Sequence, residues 1–69
     1  MNDYNTEIAK RIKSIRKLHR LSQVEFARRL DVSMPIIKAI EANRLICGEE
    51  LLCRICEEFK VSRSRFIKI

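Results

Sequence analysis

Two serines eleven residues apart constrain this chain more than any other feature. Ser22 precedes Gln23-Val24-Glu25-Phe26-Ala27-Arg28-Arg29-Leu30, and Ser33 precedes Met34-Pro35-Ile36-Ile37-Lys38-Ala39-Ile40-Glu41. Serine ahead of an apolar-periodic segment is a helix N-cap signal, because its hydroxyl satisfies a first-turn amide that has no intrahelical partner. Glu25, three residues after Ser22, completes a capping box. Pro35 suits a first turn because the N–H it lacks would have no acceptor there. Phe26, Ala27 and Leu30 form one inward stripe, and Ile37 and Ile40 the next. Two short helices therefore meet across a turn of about four residues, with small Ala27 allowing a close approach. Such a pair leaves the second helix protruding at its N-terminal end.

The remaining segments read as helices too. Ile8, Ile12 and Ile15 recur at helical spacing among Lys10, Arg11, Lys13 and Arg16, which predicts a helix from roughly Thr6 to His19. Asn5 or Thr6 is its cap, and residues 1–5 are expected to be a flexible N-terminus. Asn43 suits a left-handed stop after the third helix. Gly48 begins a fourth, Glu49 to Phe59, with Leu52, Ile55, Cys56 and Phe59 inward and two acids at its positive end. Ser62 caps a last short turn, Arg63 to Ile67, that buries Phe66. One Gly and one Pro argue against an all-β chain, which needs a turn every few residues. The expected fold is all-α, five short helices in a single domain over residues 1–69, with the paired helices at about 22–42.

Charge narrows the partner. Fifteen Lys and Arg against nine Asp and Glu leave +6, with a pI of about 9.7. Residues 1–46 hold ten of the cations and five of the acids, so the excess is concentrated there. A polyanion is expected on that part of the chain. No apolar run approaches the ~20 residues that span a bilayer. The opening Met1-Asn2-Asp3-Tyr4-Asn5 lacks the basic and apolar regions of a signal peptide. The expected location is cytoplasmic, at the nucleoid, with no membrane partner.

The text Leu21-Ser22-Gln23, Phe26-Ala27, Leu30-Asp31-Val32-Ser33, Ile37 and Ile40-Glu41, continuing through Glu50 to Phe59 and Val61-Ser62, resembles the Cro and phage-repressor (XRE) helix-turn-helix family. The likeness covers roughly residues 8–67 and implies a lambda-repressor-like domain. It implies that Ser33, Met34, Pro35, Lys38 and Ala39 face DNA bases. It implies phosphate contacts at Arg16, Ser22, Gln23, Asn43 and Arg44, where a helix N-terminus and its amides favour an anion. It also implies that Arg16 pairs with Glu41, an ion pair that locks the first helix to the third.

The chain departs from the family at informative places. Met34-Pro35-Ile36 stand where polar side chains are usual, and they cannot make the bidentate hydrogen bonds that read adenine or guanine. They meet thymine methyls or fill space. Leu45-Ile46-Cys47 is more apolar than the usual loop. Arg20 and Asp31 stand where Gly is common, and Asp tolerates a left-handed backbone better than Arg.

Cys53-x-x-Cys56, with Cys47 nearby, has the look of a metal or redox site. Structural zinc takes four ligands, and the fourth would have to be His19 or a partner's residue. The cysteines read instead as small buried hydrophobes in a reducing compartment, with no metal and no cofactor. His19 reads as a solvent-facing residue near a helix end. No second His, Ser-His-Asp set or Gly-rich phosphate loop supports an enzyme.

The functional expectation is a transcriptional regulator, of repressor or controller type, that binds double-stranded DNA as a dimer with its third helix in the major groove. Phe66, Ile67 and Ile69 supply an apolar C-terminal end suited to a homodimer. The alternative is a protein-interaction module on the same fold, docking through Met34-Pro35-Ile36 and Leu45-Ile46.

Overall fold

The computed structural model describes residues 3–62 and Ser64, with side chains from residue 5. These hold four helices and no strand: α1 (Asp3–Leu18), α2 (Gln23–Leu30), α3 (Met34–Glu41) and α4 (Glu49–Phe59). The all-helical class stands, with four helices rather than five. The expected fifth turn, Arg63 to Ile67, and the burial of Phe66 fall outside the described residues. α1 starts at Asp3, so neither Asn5 nor Thr6 is its cap. Residues 3–5 lie within α1.

One apolar cluster joins all four helices. α1 contributes Ile8, Ile12 and Ile15; α2 contributes Phe26, Ala27 and Leu30; α3 contributes Ile37 and Ile40; α4 contributes Leu52, Ile55, Cys56 and Phe59. At its centre Phe26 and Phe59 stack with ring centroids 5.0 Å apart. Ala27 has no side chain beyond Cβ and is buried, and α2 packs more extensively on α3 than on any other helix. The connection between them is three residues, Asp31 to Ser33.

Several polar contacts fix α2 against α4. Arg29 Nε donates to Glu58 Oε2 at 3.0 Å while its guanidinium lies over the Phe59 ring, and Arg54 donates to the Leu30 carbonyl at 3.2 Å. His19 is exposed, but its ring rests 4.9 Å from Phe59. The three cysteines are free thiols, with Cys56 buried and Cys47 and Cys53 half-buried. Burial first, then the neighbouring Cys56 and Glu49, pushes the Cys47 thiol up to about 11. Among the described residues no helix is long and apolar enough to cross a membrane.

Candidate nucleic-acid interface

α2 begins with a complete capping box. The Ser22 hydroxyl accepts from the Glu25 amide at 3.1 Å, and the Ser22 amide donates to Glu25 Oε1 at 2.9 Å. Hydrogen bonding from Ser22, backbone first, holds the Glu25 carboxyl below its ordinary range, with help from Arg28. α3 starts differently. Ser33 has the extended backbone of an N-cap, yet its hydroxyl makes no capping bond and remains on an exposed residue. Pro35 lies in the first turn, as its missing N–H allows.

Which face α3 offers follows from its periodicity. Ile37 and Ile40 are buried. Pro35, Lys38, Ala39 and Ala42 recur at three- and four-residue spacing on the opposite side. With Arg44 they line an open trough of about 390 Å³. Its lining combines proline and alanine with two cations, Lys38 and Arg44. Neither cation forms an ion pair among the described residues. Met34 does not share this exposure: it is half-buried and packs against the core. Ile36 is 37% exposed, and Leu45 and Ile46 in the following loop are 45% and 66% exposed. The apolar surface therefore excludes most of Met34 and is divided between the α3 flank and the loop.

Arg16 and Glu41 couple α1 to α3. Arg16 Nε lies 2.7 Å from Glu41 Oε2 and Nη2 lies 3.1 Å from Oε1, a bidentate fork, while Nη1 donates to the Leu21 carbonyl at 2.8 Å. The side chains are only 12% and 3% exposed. Gln23 Nε2 also donates to Glu41 Oε1, at 3.1 Å. The Gln23 amide thus faces inward to Glu41 while its backbone sits at the α2 N-terminus. Asn43 has a left-handed backbone, φ 61°, and its Nδ2 donates to Thr6 Oγ1 at 2.9 Å. That bond ties the loop carrying Arg44 to the start of α1.

The structure brings Pro35, Lys38, Ala39 and Arg44 into one trough and sets Ser33 at the exposed start of the same helix. It draws Arg16 and Gln23 into a shared bond set with Glu41 and turns Met34 toward the core. Sequence reasoning passed over Ala42, although its spacing from Lys38 and Ala39 marks the same face. It also passed over the Thr6–Asn43 bond, which no local pattern announces. Among the described residues no group of three or more His, Cys, Asp and Glu is placed to hold a metal ion.

The helix-turn-helix family matches residues 12–66 of the chain. Over 55 residues the chain is 42% identical to the Antitoxin PezA of Streptococcus pneumoniae serotype 4, covering 80% of this chain and 35% of that protein. It therefore spans about a third of that relative's length. No solved structure matches it. The capped helix pair, the three-residue turn, the free outer face of α3 and these matches together place the chain in the helix-turn-helix family of Cro and phage-repressor (XRE) type.

Proposed function

We propose that this chain is a regulator that binds double-stranded DNA as a dimer, with α3 in the major groove. One observation carries the reading. The face of α3 opposite the core is lined by Pro35, Lys38, Ala39 and Ala42 together with Arg44, its two cations form no ion pair among the described residues, and it lies within residues 1–46, which hold ten cations against five acids and so most of the net positive charge. A helix fits the major groove, and a nearby cation such as Arg44 suits the flanking phosphates. In this reading Ser33, Pro35, Lys38 and Ala39 face base edges, with Met34 contributing only its exposed part. Arg44 and the α2 N-terminus at Ser22 and Gln23 meet phosphate, with Arg16 and Asn43 beside them. A small module makes few contacts, so two copies on paired half-sites supply the affinity. The apolar Phe66, Ile67 and Ile69 are proposed for the dimer contact.

The test is duplex binding as a function of salt. For B-DNA, log K should fall with log salt by about 0.9 for each phosphate neutralised. Lys38→Ala and Arg44→Ala should each weaken binding, and Arg44→Ala should flatten that slope. No binding to any duplex at low salt would overturn the reading.

A second reading has its own support. Leu45 and Ile46 are exposed side by side, and the similar antitoxin's name points to a protein target of its own. On this reading the loop after α3 docks a protein partner. Loss of a partner on Leu45→Ser/Ile46→Ser, with duplex binding unchanged, would assign the loop to that role.

A further inference from the structure

We infer that the outer face of α1 is a second phosphate-binding surface, on which Lys10, Lys13 and Lys17 lie along the duplex backbone next to the phosphates met by Arg44. The inference rests on the DNA-binding reading above and extends the interface to a face of α1 that this reading leaves out. Between Glu7 and Glu25 the chain carries six Lys and Arg and no acid. Two of the six have partners: Arg11 pairs with Glu7, and Arg16 with Glu41. Lys10, Lys13 and Lys17 are exposed and form no ion pair among the described residues. With Thr6 they recur at three- and four-residue spacing, so these four positions share one face of α1.

The fold gives no account of this stripe. Like charges three and four residues apart oppose a helix rather than support it. The helix dipole favours Lys17 in the last turn, but Lys10 and Lys13 lie in mid-helix, where that effect has fallen off. A row of phosphates would turn the repulsion into attraction. From Lys10 to Lys17 the helix rises roughly 10 Å, and each strand of a duplex carries one charge for about every 3.4 Å of its axis. The stripe is therefore long enough to lie beside about three phosphates of one strand. Its place in the fold selects the partner. Thr6 Oγ1 accepts from Asn43 Nδ2 at 2.9 Å, which joins this face to the loop that carries Arg44. Arg16, three residues after Lys13, holds Glu41 at the end of α3. At its Thr6 end the stripe thus adjoins the α3 interface, and both carry the same sign of charge.

The experiment compares the native chain with Lys10→Gln/Lys13→Gln and with Arg28→Gln/Lys60→Gln, which removes the same charge from exposed positions elsewhere. Glutamine forms helix about as well as lysine, and circular dichroism checks that each variant is folded. The tightest duplex selected by the native chain from a random pool is titrated at two salt concentrations fourfold apart. With two phosphate contacts removed, the slope of log K on log salt should flatten by about 1.8, so that the rise in salt weakens the native chain roughly twelvefold more than the α1 variant. The control variant should keep the native slope. Preference for the selected duplex over one with altered base pairs should be the same in the α1 variant and the native chain, because phosphate contacts carry no sequence. Equal flattening in both variants, or none in the α1 variant, overturns the inference and leaves the DNA-binding reading intact. Polyglutamate binding that the α1 variant loses, with its duplex binding unchanged, would give the stripe to an acidic protein and overturn it too. Failure of the native chain to bind any duplex overturns both.

Discussion

At the scale of single residues, the two serine caps show how far a local rule reaches. Ser22 and Ser33 have nearly the same backbone, extended and ready to cap. Only Ser22 makes the side-chain bond, because Glu25 closes the box behind it, whereas Ile36 at the equivalent place after Ser33 has nothing to return. Ser22→Ala should cost about 1 kcal/mol in chemical denaturation, while Ser33→Ala should cost less. The Glu25 carboxyl adds a pH dependence. Its folded pKa is lowered, so its contribution is present above the ordinary value of 4.5 and disappears as pH falls through the lowered folded value. The difference in melting temperature between the native chain and Glu25→Gln should therefore be full at neutral pH and shrink on acidification below the ordinary value. A pH-independent difference would show that the box makes no charge-dependent contribution.

At the scale of helices, all four C-terminal ends close in the same way. Leu21, Val32, Arg44 and Val61 donate their amides to the carbonyls of Arg16, Ala27, Ala39 and Cys56, each five residues back, at 2.8 to 3.1 Å. The residue before each donor is left-handed: Arg20, Asp31, Asn43 and Lys60, with φ from 58° to 61°. None is glycine. For an ordinary L-residue this conformation costs roughly 1–2 kcal/mol, and Asn and Asp bear it most easily. Arg20 and Lys60 therefore hold the strain. Arg20→Gly and Lys60→Gly should each raise stability by up to about 1 kcal/mol, read as a higher melting temperature, with Asp31→Gly giving less. A lower melting temperature for both would mean that their side chains contribute more than the backbone relief. The chain's one glycine, Gly48, stands instead at the start of α4 with φ −68°, where a Cβ would meet nothing within 4 Å.

For the molecule as a whole, a radius of gyration of 11.0 Å over the described residues is that of a compactly folded small domain. The core that holds this shape is small, and Phe26 is at its centre, fully buried and stacked on Phe59. Phe26→Ala should cost about 3–5 kcal/mol, most of the stability of so small a domain, and leave the chain largely unfolded at ambient temperature by circular dichroism. Cooperative folding with little loss would show that the core is shared more evenly than this stack implies. The Arg16–Glu41–Gln23 set works at the same scale, because it ties three helices through one buried carboxylate. The attitude of α3 against α1 and α2 therefore depends on a charge that, among the described residues, these partners satisfy.

Local chemistry alone was enough for much of this protein. The Ser22 box, the positions of α2 to α4, the inward stripes and the left-handed end at Asn43 are all written in neighbouring residues, whereas Arg20 and Asp31 were marked only by standing where the family commonly has Gly. Each is a contest settled within one or two turns of backbone. The helical placement of Asp3-Tyr4-Asn5 was not legible, since these residues carry no cap or apolar period that marks a helix. The direction of long side chains was not legible either. Met34 could face solvent or core by spacing alone, and only the packing of α3 on its neighbours turned it inward. The same holds for Gln23 on Glu41 and Asn43 on Thr6, which join residues 18 and 37 positions apart. Such bonds have no period in the sequence. They exist because the apolar core brings their helices together, and the tertiary structure alone decides which polar groups then meet and which, like Lys38 and Arg44, form no ion pair among the described residues.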